Sequence, residues 1–157
     1  MFERTVGQIR SIDYNSILDQ AIDEKRYFIL DLIRSQLSKG ERSGGDAIGE
    51  YATDENGFST YVVMKFEKGL FQGQQGSTTP KVDLLLTGSF YRSLNLTVTK
   101  NDIVIEALDS KADKLDDMYN LSSDAGGGAL ELNEENMIAL QKELLPIIQR
   151  KLKNKFK

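Results

Sequence analysis

From Tyr14 to about Lys39 apolar residues recur as Leu18, Ala21/Ile22, Phe28/Ile29, Leu32/Ile33 and Leu37. This 3.6-residue period predicts one long amphipathic helix with a single buried face. Lys25 and Arg26 interrupt the stripe near its middle, and Gly40 follows as a C-terminal stop. Further along, Leu94, Leu96 and Val98 alternate with Asn95, Thr97 and Thr99. Ile103, Ile105 and Ala107 make a second alternating set beyond Lys100-Asn101-Asp102. Two period-two runs across a short polar turn predict a β-hairpin over about 94–108. A last helix is expected from Asn133, a good N-cap, with Glu134 and Glu135 well placed in its first turn. Leu132 and Met137 have hydrophobic-staple spacing, and the buried stripe reads Met137, Leu140, Leu144, Ile147/Ile148, Leu152. Pro146 should kink this helix, since it lacks an N–H and crowds the preceding turn. Lys151, Lys153, Lys155 and Lys157 complement its C-terminal dipole.

The intervening stretches are less regular. Residues 40–50, GERSGGDAIGE, hold four glycines and read as a flexible loop. Residues 51–71 fit a strand or the middle of a helix; Tyr61, Val62, Val63 and Phe66 favour a strand. Residues 72–80, ending in Pro80, form a second flexible loop. Val82 to Leu86 reads as extended, with Thr87 as N-cap of a short helix through Arg92 or Ser93. Residues 109–130 are acidic and glycine-rich, with Leu115, Met118 and Tyr119 as possible anchors. Gly126-Gly127-Gly128 disfavours regular helix, and a third flexible loop is expected at about 120–131. With no internal repeat and no evident boundary, residues 1–157 are read as a single domain. Its expected class is α+β: a small antiparallel sheet including the hairpin, packed by the long N-terminal helix and the C-terminal helix.

Composition narrows the function classes. The 157 residues fit one domain with a sizeable core, and 39% hydrophobic with 28% charged residues is an ordinary soluble composition. A net charge of −4 argues against a general nucleic-acid surface, which would normally be basic. No apolar run approaches the roughly 20 residues that cross a bilayer, and MFERTVGQIR has no apolar signal region. The chain has no cysteine and no histidine. Disulfide scaffolds, thiol nucleophiles, cysteine zinc sites, histidine triads and histidine-ligated metals are therefore excluded. An intracellular origin is expected. Catalysis would have to rest on carboxylates, Lys, Ser, Thr or Tyr, which any soluble chain contains.

The candidate chemical motifs reduce to local structure. An EF-hand loop with its glycine at Gly57 would start at Ala52 and end at Val63, neither of which supplies a side-chain oxygen, so Asp54-Glu55-Asn56-Gly57 reads as a turn. Gly76 to Lys81 lacks the Gly-Lys-Ser/Thr ending of a phosphate loop, and Pro80 removes a needed N–H. Gly88-Ser89 sits in no G-x-S-x-G. Asp109, Asp113, Asp116 and Asp117 read as a solvated loop, and Arg150 to Lys157 as a solvated helix end. No catalytic residue, cofactor or metal is expected.

The stretch VDLLLTGSFYRSL, residues 82–94, is the most signature-like segment. On physical grounds Val82, Leu84 and Leu86 bury one strand face, Thr87 caps, Gly88 allows tight passage, and Phe90 and Leu94 reach the core. The stretch also resembles the motif of phage tail-completion and virion-morphogenesis proteins, which act at the head–tail junction. That motif is an apolar run, Thr-Gly, an apolar residue, then a basic residue and Ser before a hairpin. Here these are Leu84-Leu85-Leu86, Thr87-Gly88, Phe90 and Arg92-Ser93, with the hairpin from Leu94 to Leu108. Thr60-Tyr61 and Lys65 resemble the spaced residues of a preceding loop, and a long N-terminal helix comes first, as in that family. The resemblance covers about residues 14–108; the acidic segment, Gly126-Gly127-Gly128 and the helix with Pro146 lie outside it. It implies a structural protein rather than an enzyme, assembled in the host cytoplasm into the virion. Its partners would be connector or tail subunits and other copies of itself in a ring, with no membrane and no sequence-specific nucleic acid. The alternatives are a small intracellular interaction or regulatory module, or a carboxylate-based hydrolase. The last would need paired acids in a cleft.

Overall fold

The computed structural model describes residues 13–68, 81–85, 88–99, 102–122 and 127–156. Its class is α+β: helices around a two-stranded antiparallel sheet, ending in a C-terminal helix. The expected N-terminal helix is two helices, α1 (Tyr14–Glu24) and α2 (Arg26–Ser38), with Lys25 between them at φ −104, ψ 12. Asp13 caps α1, accepting from the Ser16 N–H at 3.1 Å. The break falls where two cations turn inward. Lys25 Nζ meets Glu143 at 2.5 Å, and the Arg26 guanidinium binds Asp23 and the Leu96 carbonyl. The apolar face also shifts by one residue at its start: Ile17 is buried, whereas Leu18 is 42% exposed. Ile29, Leu30, Ile33 and Leu37 carry the α2 side of the core.

Gly40 ends α2 at φ 71, where a Cβ would stand 2.9 Å from Lys81 Cβ and 3.1 Å from the Val82 carbonyl. Glycine is thus needed twice over, for the left-handed turn and for the close approach of residues 81–82. The chain from 41 to 50 folds on itself through an isolated bridge Glu41↔Ala47 and then pairs Glu50 with Lys81. Residues 72–80, expected as a loop, lie outside the described residues.

Residues Thr60–Glu67 form a helix, α3, which overturns the lean towards a strand. The reason is tertiary. Tyr61 and Lys65, four apart, face inward on a helix while Val63 between them is 48% exposed. A strand would have put all three on one side. In the signature stretch Val82 and Leu84 are buried as expected, but Leu84 takes φ 55 and the run is not a regular strand. Leu86 and Thr87 lie outside the described residues. The N-cap of the short helix α4 (Ser89–Ser93) is not Thr87 but Gly88, at φ 73, ψ 3, with no side-chain cap.

The hairpin is as expected: β1 (Leu94–Val98) pairs with β2 (Ile103–Ala107) from Leu94↔Ala107 to Val98↔Ile103. Leu94 and Leu96 are buried against α1 and α2. The acidic segment, expected as loop, contains a helix, α5 (Ala112–Tyr119), stopped by Asn120 at φ 51. Leu115 and Tyr119 pack against the core, but Met118 is 57% exposed and anchors nothing. The last helix, α6 (Glu134–Lys155), starts as expected: the Asn133 side chain accepts from the Asn136 N–H at 2.9 Å. Leu140, Leu144 and Ile147 are its buried positions; Met137, expected in the stripe and the staple, is 47% exposed. The helix continues through Pro146. It packs along α1, where Arg150 and Lys151 pair with Glu24 at 2.7 and 2.6 Å.

Candidate functional site

A buried charge needs a partner, because desolvation costs several kcal/mol per ion. Two such charges meet at the start of the signature stretch. Lys65 on α3 is 3% exposed, and its ammonium is ion-paired to Asp83 Oδ1. The same oxygen accepts from the Tyr51 hydroxyl at 2.9 Å and from the Leu85 N–H at 3.0 Å. The Asp83 carbonyl accepts from the Tyr91 hydroxyl of α4 at 2.5 Å. The Tyr51 and Tyr61 rings stack with centroids 4.7 Å apart, and Lys65 Nζ lies 5.3 Å from the Tyr51 centroid. Asp83 therefore ties four pieces of chain together: the segment at Tyr51, α3, residues 81–85 and α4.

Burial, and then the Asp83 charge, push the Tyr51 and Tyr91 hydroxyls far above the ordinary tyrosine range. Burial also raises Tyr61 and Tyr119. The Tyr51 and Tyr91 hydroxyls are donors. In the folded chain they keep their protons beyond the pH at which the unfolded chain's tyrosines, near 10.0, lose theirs. The folded state then binds more protons, so stability is fully present below about pH 10 and falls as pH rises above it. NMR of ring-labelled tyrosine should show these rings ionising only as the fold is lost; ionisation within an intact fold would contradict the assignment.

No buried side-chain nitrogen or oxygen among the described residues lacks a partner. The geometry around Asp83 is that of a clamp. The other candidates also close locally. Asp54 accepts from the Asn56 and Phe58 N–H groups at 2.9 and 2.8 Å, with Gly57 at φ 79, which is the turn read from the sequence. Asp116 accepts from the Ser122 hydroxyl and N–H at 2.7 and 2.8 Å, and these bonds hold its carboxyl below the usual range. No group of three or more potential metal ligands occurs among the described residues.

The signature residues that are described support the hairpin. Phe90 is buried, the Ser93 hydroxyl donates to the Phe90 carbonyl at 2.8 Å, and the Ser93 carbonyl accepts from the Leu108 N–H at 3.1 Å. Arg92 is exposed on α4, and Gly88 supplies the left-handed entry. The residues that make the Asp83 clamp were not singled out together from the sequence. The available signal was a charge inside an apolar run, Asp83 in VDLLL and Lys65 in VVMKF.

A groove of about 750 Å³ runs between the hairpin, α5 and the start of α6. Phe90, Leu121, Leu130, Leu132 and Leu140 give it an apolar wall. All five residues of β2, Ile103 to Ala107, line it. Successive strand side chains point to opposite faces, so five in a row on one groove means that the strand presents its edge. The hydrogen bonds agree. Leu108 N–H to Ser93 at 3.1 Å and Thr99 N–H to Asp102 at 2.8 Å fix which pairs are bonded. By antiparallel alternation, the backbone groups of Ile103, Ile105 and Ala107 then point away from β1. Among the described residues the sheet has two strands, so this edge of β2 is open.

Comparison with protein-family models, with curated proteins and with solved structures finds no match to this chain.

Proposed function

We propose that this chain is a structural subunit of a phage head–tail junction or tail terminus, acting by ring-type docking onto its neighbours and without catalysis. The observation that carries the reading is the open β2 edge. It belongs to the hairpin that follows directly on the signature stretch, and it carries exposed Ile103 and Val104, at 47% and 44%, with Leu108, at 65%, just beyond. An open apolar strand edge is a pairing surface, which a monomeric protein would have reason to blunt. The order of elements supports the reading in part: helices come first and the hairpin follows the signature stretch, while Thr60-Tyr61 and Lys65, matched to a loop, lie on α3. The clamp at Asp83 fits the same purpose, since it fixes the segment from which the hairpin springs. The partners in this reading are connector or tail subunits and other copies of the chain, and its place is the virion. Among the described residues no helix is long and apolar enough to cross a membrane.

The test is to decorate particles of a phage that encodes this chain with an antibody raised against it. Label at the tail-bearing vertex or the tail end is the expected result. Unlabelled particles, with the protein free in the infected cell, would discard this reading in favour of an intracellular interaction module.

A further inference from the structure

The two ends of α6 differ in charge. Its 22 residues span about 33 Å. At its start lies the apolar groove, and the charged residues lining that groove are all acids: Glu106, Asp113, Asp116 and Glu131. At its other end Lys153 and Lys155 are exposed, and Phe156 beside them is 47% exposed. Arg150 and Lys151 are held by Glu24 of the same copy, while neither Lys153 nor Lys155 is in an ion pair among the described residues. One end of the molecule thus offers an apolar slot with an acidic rim, and the opposite end an aromatic ring between cations.

We infer that the groove receives the basic end of α6 from a second copy of this chain. Phe156 enters the apolar slot, and Lys153 and Lys155 face Glu106 and Asp113 on its rim. A groove-to-groove contact would set carboxylates against carboxylates, so the contact that charge permits is head-to-tail. In a ring-forming subunit the contact runs one way, leaving one groove and one basic end unused in every pair, so it propagates and closes when the rotation allows. Aromatic anchors flanked by charge carry much of the affinity in such contacts, and opposite potentials set their register. The inference rests on the reading of this chain as a ring-forming subunit and names the seam.

The experiment is sedimentation of the purified full chain over a range of concentrations at low and high salt. Wild type should associate with rising concentration, and less so in high salt. K153E/K155E, which makes the tail acidic, should sediment as a monomer, and so should E106K/D113K, which reverses the charge at the two rim positions that face the tail. An equimolar mixture of the two should associate again, because the reversed tail of one variant meets the reversed rim positions of the other, and the native tail of the second meets the native groove of the first. Phe156→Ser should weaken association by on the order of ten-fold or more. Circular dichroism of each variant checks that it is folded. Monomeric wild type at every concentration, association untouched by either charge reversal, or a mixture that stays monomeric would each overturn the inference. If the charge swap works and particles lack the protein, the neck reading fails and the seam stands. If particles contain the protein and the swap does nothing, the seam alone fails.

Discussion

Lys65→Met lowers the stability of the folded chain by roughly 3–5 kcal/mol, the usual cost of breaking a buried ion pair from one side. Methionine replaces most of the lysine stem, so lost packing is a minor part of the effect. What remains is the Asp83 carboxylate, still bound by Tyr51 and the Leu85 N–H but without its cation. Against a typical total of about 5–15 kcal/mol, that loss is a large fraction of the protein's stability. Asp83→Asn should cost a similar amount by leaving Lys65 buried without its counter-charge. The double variant should recover much of the loss, since no lone charge is left in the cluster, and the coupling between the two changes is the signature of a direct contact. Urea unfolding read as midpoint shifts at constant slope measures all three. A loss under about 1 kcal/mol for Lys65→Met would mean that the pair is solvated, as surface pairs are.

Gln36→Leu should destabilise by about 2–4 kcal/mol, because it orphans backbone groups in a buried place. Gln36 is 1% exposed on α2. Its Nε2 donates to the Glu131 carbonyl at 2.8 Å, and its Oε1 accepts from the Asn133 N–H at 2.9 Å and from Asn136 Nδ2 at 3.2 Å. One amide thus seats the N-cap of α6 and the chain leading into it. Leucine has a suitable volume but satisfies none of these groups. Hydrogen exchange should quicken in the first turn of α6 while the rest of that helix stays protected. A loss below about 0.5 kcal/mol, with unchanged exchange, would contradict the role assigned to this side chain.

These two residues also mark what the sequence made legible. Local period and capping showed through: the hairpin at Leu94–Ala107, the Asn133 cap, the Gly40 stop and the α+β class follow from signals within a few residues. Partnerships across the chain did not. Gln36 reads as a polar residue on a helix, and only the fold brings residue 131 to it. Lys65 in VVMKF favoured a strand by its neighbours, but pairing with Asp83 requires the helix that α3 forms. The α5 helix was hidden by its acidic composition. It is closed from outside by Arg42, whose guanidinium binds the carbonyls of Tyr119 and Asn120. In the signature stretch attention fell on Thr87-Gly88, whereas the side chain that organises the structure is Asp83, at its second position. The groove left no linear trace at all, since its walls come from segments as far apart as Ile29 and Leu140.

The most direct measurement is the copy number of this chain in gradient-purified, nuclease-treated particles of a phage that encodes it, by quantitative mass spectrometry with the connector protein as internal standard. The account predicts a low, fixed number comparable to that of the connector ring. Particles that lack the chain, or carry it in amounts that vary from one preparation to the next, would contradict it.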